Sequence, residues 1–199
     1  MGRYAQEFRR SLDDPDGFWR DAAAGIDWVS PPRRILDGTT PPMYRWYPDA
    51  ELNTCFNALD RHVRGGRGEQ TALIHDSPVT GTLHRYTYAE LLDRVSRVAG
   101  ALRALGVDKG DRVVLYMPMV PEALMTMLAC ARLGAVHSVV FGGFAAAELA
   151  TRITDARPRV VVSASCGIEV SRVVPYKPLL DRAIELAGHT PEQDRKSVV

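Results

Sequence analysis

One apolar stretch, Asp111–Phe144 (DRVVLYMPMVPEALMTMLACARLGAVHSVVFGGF), is punctuated so regularly by proline and glycine that few folds can accommodate it. Val113–Met117 is a short apolar run rich in β-branched residues, and Pro118 follows where a central strand would need a ladder N–H. Pro121-Glu122 suits a helix start: the fixed proline φ fits the first turn, and the carboxylate favours the positive end of the dipole. The helix is predicted to run to about Leu133, with Gly134 taking the left-handed position that ends it. A second strand, Val136–Phe141, breaks at Gly142-Gly143, and a helix over Ala145–Ile153 follows. A third run, Arg159–Ser163, completes β-α-β-α-β. Strands this apolar are expected to be buried on both faces, which predicts an α/β fold with a doubly wound, largely parallel sheet.

The flanking sequence extends this core. Thr71–His75 and Leu83–Thr87 read as strands joined through the turn-forming DSPVTGT, a plausible hairpin. Thr87 opens a helix through the capping box T-Y-A-E, and Leu91, Val95, Val98, Leu102 and Leu105 recur on one face. After Ser163 the chain is read as a polar loop carrying Cys166, Glu169 and Arg172, then a helix over about Lys177–Ala187. Upstream, Tyr4–Ala24 suggests a short helix entered through Asp13-Asp14-Pro15, anchored by Phe18 and Trp19. The proline-rich stretch after it holds Trp28 and Trp46, aromatic anchors of a strap laid on another surface or a partner. Cys55, Leu59 and His62/Val63 fit one helical face, and the Gly65–Gly68 cluster marks a hinge.

Composition sets limits. A formal net charge of +1 gives no electrostatic footprint for nucleic acid or an acidic membrane. No apolar stretch reaches the roughly 18–20 residues that span a bilayer. The first residues lack the apolar core of a secretion signal, and Cys55, Cys130 and Cys166 are too few and scattered for a disulfide framework or a metal site. A cytoplasmic protein with reduced thiols is expected.

The sharpest local feature is the glycine pair Gly142-Gly143 at the carboxyl end of a strand, leading into a helix, where α/β sheets place ligands. It reads either as a ligand contact or as a tight turn. The sequence has no G-x-G-x-x-G and no P-loop motif. Arg172, with Glu169 before it and Lys177 after it, reads either as an Arg/Lys loop that clamps a phosphate or as a solvated loop with an ion pair. His137 sits in an apolar strand as a core histidine would, and His75 and His84 share no metal-ligand spacing. No nucleophile–base pair or carboxylate dyad can be assembled.

Tyr116–Ala123 (YMPMVPEA), Met127–Phe144 (MLACARLGAVHSVVFGGF) and the preceding YAELLDRVSRVAGALRALGVDKGDRV resemble the short-chain acyl-CoA synthetases of the AMP-forming, adenylate-forming ligase superfamily. The likeness begins near FWRDAAAGIDW, takes in RWYPDAELNTCFNALDRH and continues to HTPEQ. The phrases ASCGIE and VPYKPLLDRAIELAGH look more like the propionyl-CoA branch than the acetyl-CoA branch. The resemblance implies an N-terminal cap over residues 1–64, the first part of an AMP-binding domain over 65–193, and a tail foreign to the family at 194–199. It further implies a reaction that joins a short-chain carboxylate, ATP and CoA, with Mg²⁺, through an acyl-adenylate.

By the same resemblance, the glycine pair and two arginines three residues apart contact CoA. Gly142 and Gly143 match, Arg172 matches the second arginine, and Glu169 stands where the first would be. The cofactor-binding segment is therefore expected to comprise Gly142, Gly143, Glu169, Val170, Ser171 and Arg172, with no catalytic residue and no metal ligand. The Ser/Thr/Gly-rich phosphate loop ending in Pro-Lys-Gly does not occur in these 199 residues. Nor do the adenine and Mg²⁺ motifs, the acyl pocket or the domain bearing the catalytic lysine. An inactive N-terminal fragment that binds none of these small molecules tightly is expected, with self-association through an exposed part of the sheet. The competing readings are a non-catalytic module binding CoA or a partner, and a flavodoxin-like binding domain.

Overall fold

In a computed structural model that describes residues 2–169 and 172–191, the chain divides into two compact units, Met1–Asn53 and Thr54–Val199. Val170, Ser171 and the 194–199 tail lie outside the described residues.

In the first unit, two helices stand where the sequence suggested one: α1 (Arg3–Asp13) and α2 (Pro15–Ala23). Asp14 separates them, its carboxylate accepting from the Gly17 N–H at 3.0 Å. Pro15 occupies the first turn of α2, where its missing N–H costs nothing, whereas one unbroken helix would have lost a bond there. β1 (Leu36–Asp37) pairs antiparallel with β2 (Arg45–Trp46). The aromatic anchors of the strap meet one another: Trp19 lies edge-on to Trp46 at 5.3 Å and Trp28 against Tyr47 at 5.5 Å. Trp28 also donates its Nε1–H to the Ala23 carbonyl at 2.8 Å, the partner a half-buried indole requires.

The second unit opens with a helical segment over residues 54–67, containing π-type turns at Phe56–Asp60 and Val63–Arg67. Cys55 and Leu59 are buried in the second unit's core, so the division between units falls ahead of the glycine cluster. The hairpin follows as β3 (Thr71–Ser77) and β4 (Thr82–Thr87). α3 (Tyr88–Ala104) begins with the predicted reciprocal cap. The Glu90 N–H donates to Thr87 Oγ1 at 3.2 Å, and the Thr87 N–H to Glu90 Oε2 at 2.8 Å.

The central stretch folds as β5 (Arg112–Met117), α4 (Pro121–Leu133), β6 (Val136–Phe141), α5 (Ala146–Ala156) and β7 (Val160–Ser163). Gly134 ends α4 at φ 74°. The three strands are parallel, in the order β6-β5-β7. Val113, Leu115 and Met117 of β5 face α3 and α4, while Val114 and Tyr116 face α5 and the final helix, α6 (Tyr176–Leu186). This alternation makes a three-layer α/β sandwich in which β5 is covered on both sides. Val113, Val114, Leu115 and Tyr116 are each 0% exposed, and each such aliphatic side chain contributes about 1.5–3 kcal/mol.

Two expectations need correction. Burial on both faces holds for β5 but not for β6, where Val136, Val139 and Phe141 are 54%, 55% and 71% exposed. The reason is position: among the described residues β6 pairs with β5 alone. Val139 and Phe141, opposite Leu115 and Met117 in register, lie on the α3/α4 face near its rim. Second, the segment after β7 is a hairpin and not a loop. β8 (Cys166–Glu169) pairs antiparallel with β9 (Arg172–Pro175), which places Cys166 in a strand.

Candidate functional site at the strand ends

The glycine pair lies where the sequence placed it, in a turn between β6 and α5 closed by the Phe144 N–H on the Phe141 carbonyl at 3.0 Å. Tyr116, fully buried in β5, donates its hydroxyl to the Phe144 carbonyl at 2.8 Å and fastens the turn to the central strand. That burial also raises the Tyr116 pKa. Gly142 is buried and Gly143 exposed. Neither has a positive φ, so close approach and not backbone handedness explains them. A Cβ on Gly143 would come within 2.5 Å of the Phe141 ring. On Gly142 it would fall 2.3 Å from Tyr176 Oη.

Arg172 starts β9 directly opposite Glu169, at the end of the hairpin remote from α6. Its side chain is exposed. Val170 and Ser171, also expected at this site, are outside the described residues. Lys177 does not join a clamp: it is paired with Asp181 one turn along α6. The base of the hairpin, Cys166 opposite Pro175 and Gly167 opposite Val174, leads into Tyr176, which meets both Gly142 and Gly167. The glycine turn and the arginine hairpin are thus joined through one aromatic side chain.

A second feature has no counterpart in the sequence reading. β5 is followed by α4 on one face of the sheet, and its neighbour β7 leads through the β8–β9 hairpin to α6 on the other. Loops diverge at such a switch point and leave a crevice at the carboxyl ends of the strands. A cleft of about 520 Å³ opens there, between Pro118–Val120, β8 and the β3–β4 turn, with His75, Asp76, Ser77 and Thr80 as its polar lining. His75 Nε2 lies 3.3 Å from the Met119 carbonyl, while Nδ1 is buried and unpaired. Gly167 borders this cleft and also abuts Tyr176, so the two features share β8. Strand order creates the cleft, and strand order is a non-local property that no local pattern carries.

Two of the three thiols are withdrawn from chemistry by burial. Burial pushes the Cys130 thiol up to about 11 and raises that of Cys55, and both side chains are 0% exposed. Among the described residues no group of three His, Cys, Asp or Glu is placed to hold a metal ion. The strand ends thus bring near one another the backbone of a glycine turn, the hairpin that carries Arg172, and a cleft.

The family described as AMP-binding enzyme matches residues 59–197, and the acetyl-coenzyme A synthetase N-terminus matches residues 4–58. The chain is 50% identical over 96% of its length to the mouse protein named acyl-CoA synthetase short-chain family member 3, mitochondrial. It is 46% identical over 94% of its length to propionate–CoA ligase of Escherichia coli, and 60% identical over 94% to an uncharacterised protein of Pseudomonas aeruginosa. It spans only 28–30% of the length of these relatives. With one family matching most of the chain and its companion segment matching the rest, this protein belongs to the AMP-binding enzymes of the acetyl-coenzyme A synthetase type.

Proposed function

We infer that this chain is the N-terminal part of an AMP-forming short-chain acyl-CoA synthetase and supplies the CoA-side wall of its active site. The observation that carries this reading is the unbroken, ordered match of both family segments to relatives named for short-chain acyl-CoA synthesis. In the whole enzyme the carboxylate would attack ATP to give acyl-adenylate and pyrophosphate. The CoA thiol would then displace AMP and leave as the thioester. Propionate is the favoured substrate, supported by the Ala164–Glu169 and Val174–His189 phrases and by the ligase name of one relative.

Within this wall, Gly142 and Gly143 present backbone to CoA and Arg172 offers a guanidinium to its phosphate. Glu169, whose backbone pairs with Arg172, stands in the sequence where the resemblance puts a second arginine that would strengthen the grip. Binding by this chain alone is therefore expected to be weak. The ATP- and Mg²⁺-dependent steps belong to residues outside this sequence. A cytoplasmic location fits the three free thiols, and no helix among the described residues is long and apolar enough to cross a membrane.

Calorimetric titration of CoA into the purified chain tests the reading. Weak binding that disappears in Arg172→Glu supports it, and wild-type heats equal to buffer dilution overturn it. Incubation with propionate, ATP and CoA should yield no AMP.

A further inference from the structure

Tyr176 opens α6 at the base of the β8–β9 hairpin, its N–H donating to the Ser165 carbonyl at 3.0 Å. The ring is 4% exposed and stacks on Tyr116 with centroids 4.9 Å apart and planes at 30°. Its phenol end occupies a slot walled by glycine. A Cβ on Gly142 would lie 2.3 Å from Oη and 2.9 Å from Cζ. A Cβ on Gly167 would lie 2.8 Å and 2.9 Å from the same atoms. One wall is the turn that ends β6, and the other is β8. Two side-chain-free walls around one phenol leave no room for either element to shift toward the other.

We propose that Tyr176 is the positioning residue of this site: its phenol, clamped between Gly142 and Gly167, sets the spacing between the Gly142-Gly143 turn and the hairpin that carries Arg172. The proposal rests on the CoA-side reading above. It assigns Tyr176 no contact with ligand. It also changes why Gly142 is glycine: the close approach it permits is internal, to Tyr176, which leaves the exposed Gly143 as the backbone open to a ligand.

The hairpin works as a lever. Arg172 pairs with Glu169 at one end, while Cys166 pairs with Pro175 beside Tyr176 at the other. At about 3.3 Å per residue the two ends are about 10 Å apart, so a rotation of about 10° at the base moves Arg172 by about 2 Å. Displacements of about 1 Å are enough to lose a positioned interaction. Tyr116 completes the frame by holding the Phe144 carbonyl at 2.8 Å, so the two stacked tyrosines secure both sides of the turn.

The test is CoA calorimetry and thermal melting of the 199-residue chain and its variants. Tyr176→Leu, which empties the slot, should weaken CoA binding about 3- to 30-fold and lower Tm by about 4–8 °C. Tyr176→Phe keeps the ring in the slot and should recover most of the affinity that Tyr176→Leu loses. Gly142→Ala should lower Tm strongly beside Tyr176 and much less in the Tyr176→Leu background, because the clash partner is gone. Should Tyr176→Leu fail to fold, Gly167→Ala presses on Tyr176 from the hairpin side and should weaken CoA binding in its place. Wild-type affinity in Tyr176→Leu or Gly167→Ala overturns the positioning role and leaves the CoA reading standing, as does an equal Gly142→Ala penalty in both backgrounds. Absence of CoA binding by the wild-type chain, with Arg172→Glu indistinguishable from it, overturns the reading and the proposal together.

Discussion

Arg132, on the last turn of α4, reaches Asp60 with both guanidinium nitrogens, Nη1 to Oδ2 at 2.7 Å and Nη2 to Oδ1 at 3.2 Å. Asp60 is 8% exposed, and Cys55 Sγ lies 3.8 Å from the same Nη1. The pair locks the helical segment at 54–67 to the α3/α4 layer over a sequence separation of 72 residues. The hydrogen bonds it donates to Asp60 hold the Arg132 guanidinium above its already high pKa.

Removing one partner should therefore destabilise the chain more than removing both. Asp60→Asn or Arg132→Met alone strands a desolvated group, and about 2–3 kcal/mol of stability should be lost by urea titration. The double variant should recover part of that loss, which a double-mutant cycle measures directly. Additive losses would mean that the two side chains are not coupled.

The reciprocal cap at the start of α3 gives a smaller, local effect. Thr87→Ala removes the acceptor for the Glu90 N–H and should cost about 1 kcal/mol. Replacing Glu90 in the Thr87→Ala background should add little, because each half of the box holds the other in place. Circular dichroism melts of the single and double variants check both statements.

The cap and the core were legible because they are local. T-Y-A-E carries its own hydrogen bonds, and Pro121 and Gly134 bound α4 whatever surrounds them. The β5–β7 alternation follows from apolar runs separated by helical periodicity. Features that depend on distant neighbours were not legible. β6 is as apolar as β5, yet Val139 and Phe141 are exposed because strand order puts them at the rim. The β8–β9 hairpin reads as loop since its strands are four residues each and carry Gly167 and Pro175. At the strand ends, the sequence singles out the glycine turn and Arg172 but not Tyr176. A slot formed by Gly142 and Gly167 exists only once β6 and β8 are brought together.

The buried thiols predict how stability varies at high pH. Cys130 ionises at about 11 in the folded chain, against about 8.5 when unfolded. A raised folded pKa means that the neutral thiol is favoured by folding. Its contribution is fully present below about pH 8.5 and is lost as pH rises to about 11, up to about 3 kcal/mol. Tyr116, raised by burial, adds to the slope above pH 10. Cys130→Ala should shrink the loss between pH 8.5 and 11 while leaving the Cys55 and tyrosine parts. In native chain at pH 8, a thiol reagent should react quickly with the half-buried Cys166 and slowly with Cys55 and Cys130.

The exposed rim of β6 carries the last prediction. Val136, Val139 and Phe141 put large apolar side chains on a strand that, among the described residues, has one hydrogen-bonded neighbour. An unpaired, apolar edge is a template for another strand, and charge is what ordinarily blunts it. Residues 136–141 contain no acidic side chain, no lysine and no arginine. His137 is the one titratable group and is half-buried. The isolated chain should therefore self-associate with rising concentration, and light scattering should record a growing mean mass. Val139→Lys and Phe141→Lys each place a cation on the rim without touching the buried Val140, so both should restore a monomer with little change in Tm. Glu or Lys substitutions on the exposed face of α3 should leave the association unchanged. A monodisperse monomer at high concentration would remove the edge from consideration as the contact, as would association that persists in both lysine variants.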